Sequence, residues 1–115
     1  FLGYMEDYEK YNACPCCKAP GLQELIDFPD LGSLVAPRPL QFQIGYQGSG
    51  SLTTSAAQRA MEEVRQTYLD LSKPENAMLD IHGGGHVVDT PSLIWFLEKH
   101  LMPPPPVFNP WWKDR

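Results

Sequence analysis

The chain has 115 residues, which is enough for one domain, and its 43% hydrophobic and 20% charged residues form an ordinary globular balance. Nine Lys and Arg against 14 Asp and Glu give a net charge of −5. This acidic balance disfavours nucleic acid and anionic membranes as partners, because both select clustered basic residues. No apolar run approaches the roughly 18 residues that a membrane span requires. The first residue is Phe1 rather than Met, which predicts that the chain begins inside a longer protein.

Three cysteines, Cys14, Cys16 and Cys17, lie together in a stretch whose prolines and glycine predict a loop. A structural zinc site requires four ligands, and no second Cys-x-x-Cys or histidine pair completes one. A redox pair would need Cys14 and Cys17, and no helix clearly begins after them to favour a thiolate. We therefore expect packed thiols and no cofactor, and we rank metal binding and redox chemistry below that. The clustered, odd set does not fix a compartment.

The first half of the chain contains short helical turns and one strand. Residues 22–35 alternate short apolar pairs with Asp and Pro, which predicts one or two helical turns. Leu40, Phe42 and Ile44 alternate with Gln41 and Gln43, so residues 40–46 are predicted to form a strand. The Gly-Ser stretch at 48–51 is a flexible break whose composition also matches an engineered linker. It does not contain the Gly-Lys-Ser/Thr sequence with which a phosphate-binding loop ends.

A long amphipathic helix is predicted after this break. Ser55, followed three residues later by Gln58, forms a capping-box pattern, and Pro74 ends the helix. The apolar residues recur at helical spacing and predict one buried stripe. The stripe consists of Ala57, Ala60, Met61, Val64, Tyr68 and Leu71.

A second strand and a second helix complete the pattern. Residues 77–81 are apolar and bounded by Pro74 and by the glycines at 83–85, which predicts a strand. Thr90 before Pro91 predicts an N-cap with proline at the first helical position. This helix is predicted to run to about Leu101, and the prolines at 103–106 predict a polyproline II segment after it. Its predicted buried stripe is Leu93, Ile94, Leu97 and Leu101.

The order strand, helix, strand, helix predicts an α/β fold with parallel strands, because each helix is long enough to cross over. Two parallel strands cannot bury both faces of a sheet by themselves. We therefore expect this chain to form one side of a larger sheet.

His86 is the strongest candidate for chemistry. It follows three glycines just after the predicted second strand, at the carboxyl edge where ligands bind in open α/β sheets. An imidazole at such an edge can act as a general base near neutral pH. An exposed loop histidine of no function fits the spacing equally well. For His82, at the end of the strand, and His100, late in the helix, structural roles are favoured.

Several motifs in order resemble the later part of the α/β-hydrolase fold. These are C-P-C at 14–16, P-G at 20–21, D-F-P-D-L at 27–31, L-V-A-P-R-P-L at 34–40, G-G-H at 84–86 and F-L-E-K-H-L at 96–101. The group that they resemble most is that of the bacterial acetyl xylan esterases and dienelactone-hydrolase-like proteins. The resemblance covers most of residues 1–102, and residues 103–115 form a Pro/Trp-rich tail.

The resemblance implies a mostly parallel sheet flanked by helices and ester hydrolysis by a Ser-His-Asp/Glu triad. His86 matches the triad histidine. The acid of the family usually comes a few residues after the strand at 40–45, where this sequence has no carboxylate. Some hydrolases of this fold place the acid after the preceding strand instead, and the resemblance then implies Glu6 or Asp7. The nucleophile would lie upstream of Phe1, and residues 1–4 resemble the end of an earlier strand.

Two functions follow as expectations. The first is the C-terminal portion of a carboxylic-ester hydrolase, which supplies the triad histidine and is inactive without the nucleophile half. Its implied partners are the rest of its own domain, or another chain that completes the sheet. Once complete, it would take an ester substrate of the acetylated-carbohydrate kind. The alternative is a non-catalytic structural or self-assembling module derived from the hydrolase fold.

Overall fold

The computed structural model describes residues 3–6, 20–47 and 54–101. Within them, the helices and strands follow in the order α1 (Phe28–Ser33), β1 (Leu40–Gly45), α2 (Thr54–Asp70), β2 (Ala77–His82) and α3 (Thr90–Leu101). Single 3-10 turns lie at Leu22–Glu24 and Pro74–Asn76. The predictions made for Asp7, the three cysteines, the Gly-Ser stretch and the C-terminal tail fall outside the described residues.

The two strands pair in parallel, with Leu40 opposite Ala77 and Gly45 opposite His82. The helix α2 lies between them in the chain, so the predicted α/β arrangement with parallel strands is confirmed. Over the described ranges the sheet has these two strands, and each strand therefore has one edge without a strand partner. In a parallel sheet the carboxyl ends of both strands lie at the same edge, which is the edge that precedes the loop of His86.

One face of the sheet packs against α2. Side chains on this helix are completely buried against Ala77 of β2 and against the half-buried Leu40, Phe42 and Leu79. The buried members of the predicted stripe are Ala57, Ala60, Met61, Val64 and Tyr68. The Tyr68 hydroxyl donates to the Arg38 carbonyl at 2.6 Å, and burial raises the pKa of this tyrosine. Leu71 is exposed because the helix ends before it.

The two ends of α2 differ in detail from the sequence prediction. The helix begins at Thr54, so Ser55 lies inside its first turn instead of capping it. At the other end the Ser72 N–H donates to the Leu69 carbonyl at 2.9 Å, and the Lys73 N–H donates to the Tyr68 carbonyl at 2.9 Å. This pair of bonds is a Schellman motif, which places Ser72 in the left-handed region with φ 57°.

The N-terminal segment is anchored to α1 and α2. The Met5 N–H donates to the Asp27 carboxylate at 2.8 Å, and Asp27 also caps the start of α1. The Tyr4 hydroxyl donates to Glu63 on α2 at 2.6 Å. Gly3 and Tyr4 are not part of a strand, so the expected end of an earlier strand is wrong for these two residues. Tyr4 instead packs against the core between α2 and the sheet.

The helix α3 lies against the other face of the sheet, and it is oriented differently from the prediction. Its N-cap is Asp89 instead of Thr90, because the Asp89 carbonyl accepts the first helical bond, from Leu93, at 3.0 Å. Among its apolar side chains Phe96 is buried and Leu93 is half-buried. The other members of the predicted stripe, Ile94, Leu97 and Leu101, are exposed. The predicted stripe of α3 is wrong because the orientation of this helix is set by glutamines. Gln41 and Gln43, on the face of the sheet that meets α3, bind the N-terminal turn of the helix.

Candidate active site at the carboxyl edge of the sheet

The segments that follow the two strands are joined by backbone hydrogen bonds. The Tyr46 N–H donates to the His82 carbonyl at 3.2 Å, and the Gln47 N–H donates to the Gly84 carbonyl at 3.0 Å. The first bond extends the strand pairing, and the second joins the turn at 83–85 to the segment after β1. The turn that precedes His86 is therefore held against the end of β1.

Glycine is required at this junction for close approach of two backbones. A Cβ on Gly45 would overlap the carbonyl oxygens of Gly84 and Gly85, and a Cβ on Gly85 would lie 2.6 Å from the Gln47 oxygen. Gly21 is the one described glycine with a positive φ. The glycines of the turn thus serve packing between the two segments, and the turn does not depend on a left-handed backbone conformation.

His82 orders the turn through its ring. Its Nδ1 accepts a hydrogen bond from the Gly84 N–H at 3.2 Å, and the side chain is half-buried. A neutral imidazole that accepts at Nδ1 carries its proton on Nε2. Sequence reasoning treated His82 as an ordinary strand-end residue. The signal that could have revealed its role is an acceptor side chain two residues before a glycine N–H in a tight turn.

Two glutamines of β1 hold the other end of the His86 loop. The Gln43 amide donates to the Asp89 carbonyl at 2.9 Å, and its oxygen accepts from the Asp89 N–H at 3.0 Å. Gln41 donates to the Ser92 hydroxyl at 2.9 Å. The alternation of β1 predicted a strand, but not that its polar side chains would bind the start of α3.

His86 lies between these two anchors and is exposed. The loop is fixed before it by Gly84 and after it by Asp89. Val87 and Val88, which follow it, are also exposed. The geometry presents an accessible imidazole at the carboxyl edge of the sheet, where it can accept a proton from a group that approaches from outside this chain segment.

The acid candidates are not brought to this edge by the described contacts. Glu6 is exposed and follows Met5, which is bound to Asp27 at the start of α1. Within the described residues no hydrogen bond or ion pair joins Glu6 to the loop of His86. Asp7 lies outside them. Tyr46 and Gln47 follow β1 and carry no carboxylate, as the sequence predicted.

Two further titratable residues have buried atoms. Asp80 alternates with His82 on β2, so both side chains are on the face of the sheet that meets α3. The Oδ2 atom of Asp80 is buried and accepts no hydrogen bond from the described part of the chain. The ring of His100 lies 4.5 Å from that of Phe96 on the same helix, and its Nε2 atom is buried without a hydrogen-bond partner in the described part of the chain.

In the described ranges no three His, Cys, Asp or Glu side chains are grouped so that they could hold a metal ion. Across the same ranges, none of the helices combines the length and the apolar character needed to cross a membrane. Comparisons with protein-family models, with curated proteins and with solved structures found no match.

Proposed function

We propose that this chain is the C-terminal portion of a carboxylic-ester hydrolase of the α/β-hydrolase type, and that His86 is its general base. The observation that carries the proposal is the hydrogen bond of 3.0 Å between the Gln47 N–H and the Gly84 carbonyl. It places the segment after one parallel strand beside the histidine loop after the next strand. The resemblance assigns the triad histidine to the second of these segments; the first, which holds the acid in most of the family, has no carboxylate here.

In this function His86 would take the proton of a serine hydroxyl as the serine oxygen attacks the ester carbonyl. It would then give that proton to the departing alcohol, and the same two transfers would hydrolyse the acyl-enzyme with water. The exposed imidazole supports this role because a nucleophile from another part of the protein can reach it. The glycine turn and the Gln43 contact fix both ends of its loop, which limits the positions that the imidazole can take.

The acid partner in this proposal is Glu6 or Asp7. A carboxylate in this role would bind the imidazole and stabilise its positive charge. The complete domain would take an ester substrate, with acetylated carbohydrate as the class implied by the resemblance.

One observation favours the second candidate function, a non-catalytic structural or self-assembling module. The stretch a few residues after Gly45 that holds the acid in the family is Gln47-Gly48-Ser49-Gly50 in this sequence and contains no carboxylate. Together with one unpaired edge on each described strand, this departure fits a module that pairs with another chain through its sheet.

The experiment compares the 115-residue chain with the protein expressed from the coding sequence extended upstream. Hydrolysis of p-nitrophenyl acetate is measured for both proteins, with and without a serine-directed phosphonate. We expect no turnover by the short chain. The extended protein should turn over, and His86→Gln should lower its kcat at least about a thousandfold.

Val88→Ala is the matched control, because Val88 lies in the same loop and its side chain is exposed. Its turnover should equal that of the unmodified protein. The proposal is overturned if the upstream sequence contains no G-x-S-x-G, or if His86→Gln retains full activity. A defined oligomer of the short chain in sedimentation, together with either of these results, would support the structural module.

A further inference from the structure

We propose that His82 is a pH-sensitive switch that holds the glycine turn at 83–85 against β1 when its ring is neutral and releases the turn when the ring is protonated. The turn has two hydrogen bonds around Gly84 that matter for this proposal. Its N–H donates to His82 Nδ1 at 3.2 Å, and its carbonyl accepts from the Gln47 N–H at 3.0 Å. One residue is therefore bound on one side by the imidazole and on the other by the segment after β1.

The bond to Nδ1 exists only for the neutral ring. A protonated imidazole carries a hydrogen on both nitrogens and has no acceptor left. The Gly84 N–H would then face an N–H group at a distance that fits a hydrogen bond, so that attraction is replaced by repulsion. Imidazoles as a class change their charge between about pH 5 and pH 8, which makes this exchange accessible under mild conditions.

The packing around the turn leaves little room for it to adjust in place. A Cβ on Gly84 would already lie 3.1 Å from His82 Nδ1 and 3.0 Å from a methyl group of Val87. The carbonyls of Gly84 and Gly85 rest directly on Gly45. Because Gly84 is bound at its N–H by His82 and at its carbonyl by Gln47, we expect a displacement of the N–H to weaken the bond to Gln47 as well.

The titratable groups on the adjoining segments are few. Asp80 lies two residues before His82 on the same face of β2, Tyr46 follows β1, and His86 and Asp89 belong to the loop and to the start of α3. The test must therefore separate the effect of His82 from that of these groups.

The consequence falls on the loop that carries His86, because this loop begins at the turn. Release of the turn removes the anchor before His86 and leaves the anchor at Asp89 in place. That this would regulate ester hydrolysis rests on the proposed function. The switch itself does not, since its readout is the protection of the Gly84 N–H.

The test is hydrogen exchange of backbone amides, followed by NMR on the 115-residue chain at several pH values from 8 to 5. Each rate is corrected for the intrinsic pH dependence of exchange and expressed as a protection factor. We expect the protection of the Gly84 amide to fall about three- to tenfold from pH 8 to pH 5, which is the effect of one net hydrogen bond. The amide of Val64, in the core helix α2, reports global unfolding and should keep its protection.

Two variants assign the effect to His82. In His82→Asn the side-chain oxygen can accept the Gly84 N–H as in an Asx turn but does not titrate, so protection should be retained at both pH values. In His82→Phe the acceptor is lost, and Gly84 should be weakly protected at both. An activity assay is not needed for either result, so failure of the hydrolase proposal would leave this test unaffected.

The proposal is overturned if the protection of the Gly84 amide in the unmodified chain is the same at pH 8 and at pH 5. A parallel loss of protection at Val64 would overturn it as well, because the event would then be global. Unchanged pH dependence in His82→Asn would assign the effect to another group.

Discussion

The side-chain amide of Gln43 and the backbone of Asp89 bind each other through two hydrogen bonds, of 2.9 and 3.0 Å. The side-chain amide of Gln43 therefore pairs with the backbone of Asp89 as a second peptide group would, on the face of the sheet that meets α3. It binds both the N–H and the carbonyl of the residue that caps α3. This contact sets where the helix begins and where the loop of His86 ends.

We predict that Gln43→Met lowers the free energy of unfolding by about 1–3 kcal/mol. Methionine has nearly the same length but can replace neither bond, so the Asp89 N–H loses its partner in a half-buried place, while the Asp89 carbonyl keeps the bond from Leu93. Urea denaturation of the variant and the unmodified chain measures the change.

Gln66→Met is the matched control. Gln66 is exposed on α2 and donates to the Asp70 carboxylate at 2.8 Å, so its hydrogen bond is exposed to solvent. Its replacement should change stability by no more than about 0.5 kcal/mol. Equal effects of the two substitutions would show that the Gln43 contact contributes nothing specific.

Gly45→Ala should destabilise the chain by about 1–3 kcal/mol, because the new methyl group would overlap the carbonyls of Gly84 and Gly85. The urea midpoint measures this loss. We also expect weaker protection of the Gly84 amide, since the turn must move away from β1.

Gly83→Ala tests the same turn at a more tolerant position. A Cβ there would meet the Tyr46 hydroxyl at 3.3 Å, and this is the far end of a side chain that can shift. A change below about 1 kcal/mol is expected. If Gly45→Ala were equally mild, the close approach of the two backbones would not be needed for folding.

Ser72→Gly should raise the free energy of unfolding by about 0.5–1 kcal/mol, because Ser72 has φ 57° and glycine adopts this conformation without strain from a Cβ. Thermal unfolding would show the gain as a higher Tm. Ser72→Ala keeps the Cβ and should give no gain. Stabilisation by alanine as large as that by glycine would contradict this explanation.

Tyr4 is predicted to make stability depend on alkaline pH. Burial and the hydrogen bond to Glu63 raise its pKa from 10 to about 12. The folded state therefore holds this proton more tightly than the unfolded state, so the contribution is complete below pH 10 and is lost as the pH rises from 10 towards 12.

The measurement is urea denaturation of Tyr4→Phe and the unmodified chain at pH 8, 10 and 11.5. At pH 8 the variant should be less stable by at most about 1 kcal/mol, because the lost bond is partly exposed to water. At pH 11.5 that difference should shrink or change sign. In Glu63→Gln an acceptor remains but its charge is gone, so the folded-state pKa of Tyr4 should be raised less, and the alkaline loss of stability should be smaller and end at a lower pH.

The elements could be predicted from sequence where their own residues decide the packing. The stripe of α2 is buried as predicted because small and apolar side chains recur at its helical spacing, and a sheet face with Leu40 and Phe42 receives them. The stripe of α3 failed because its orientation is decided elsewhere. Gln41 and Gln43 bind its first turn, and helical periodicity contains no information about them.

The candidate site shows the same division. The position of His86 after a strand and a glycine run is a local pattern, and the structure places the residue in an exposed loop there. The roles of Gly45 and His82 depend on contacts with a turn. Only the three-dimensional pairing of β1 with β2 brings Gly45 to that turn, so no single segment of sequence could indicate it.

The attachment of α3 through glutamines has a consequence for how the protein opens. The helix α2 has several completely buried side chains, whereas α3 has Phe96 as its one buried side chain in the described part of the chain. Opening of α3 therefore exposes little apolar surface and should require less free energy than global unfolding. In native-state exchange α3 would form the less stable cooperative unit. Because its first turn ends the loop of His86, the imidazole would lose its fixed position while the α2 core is still intact.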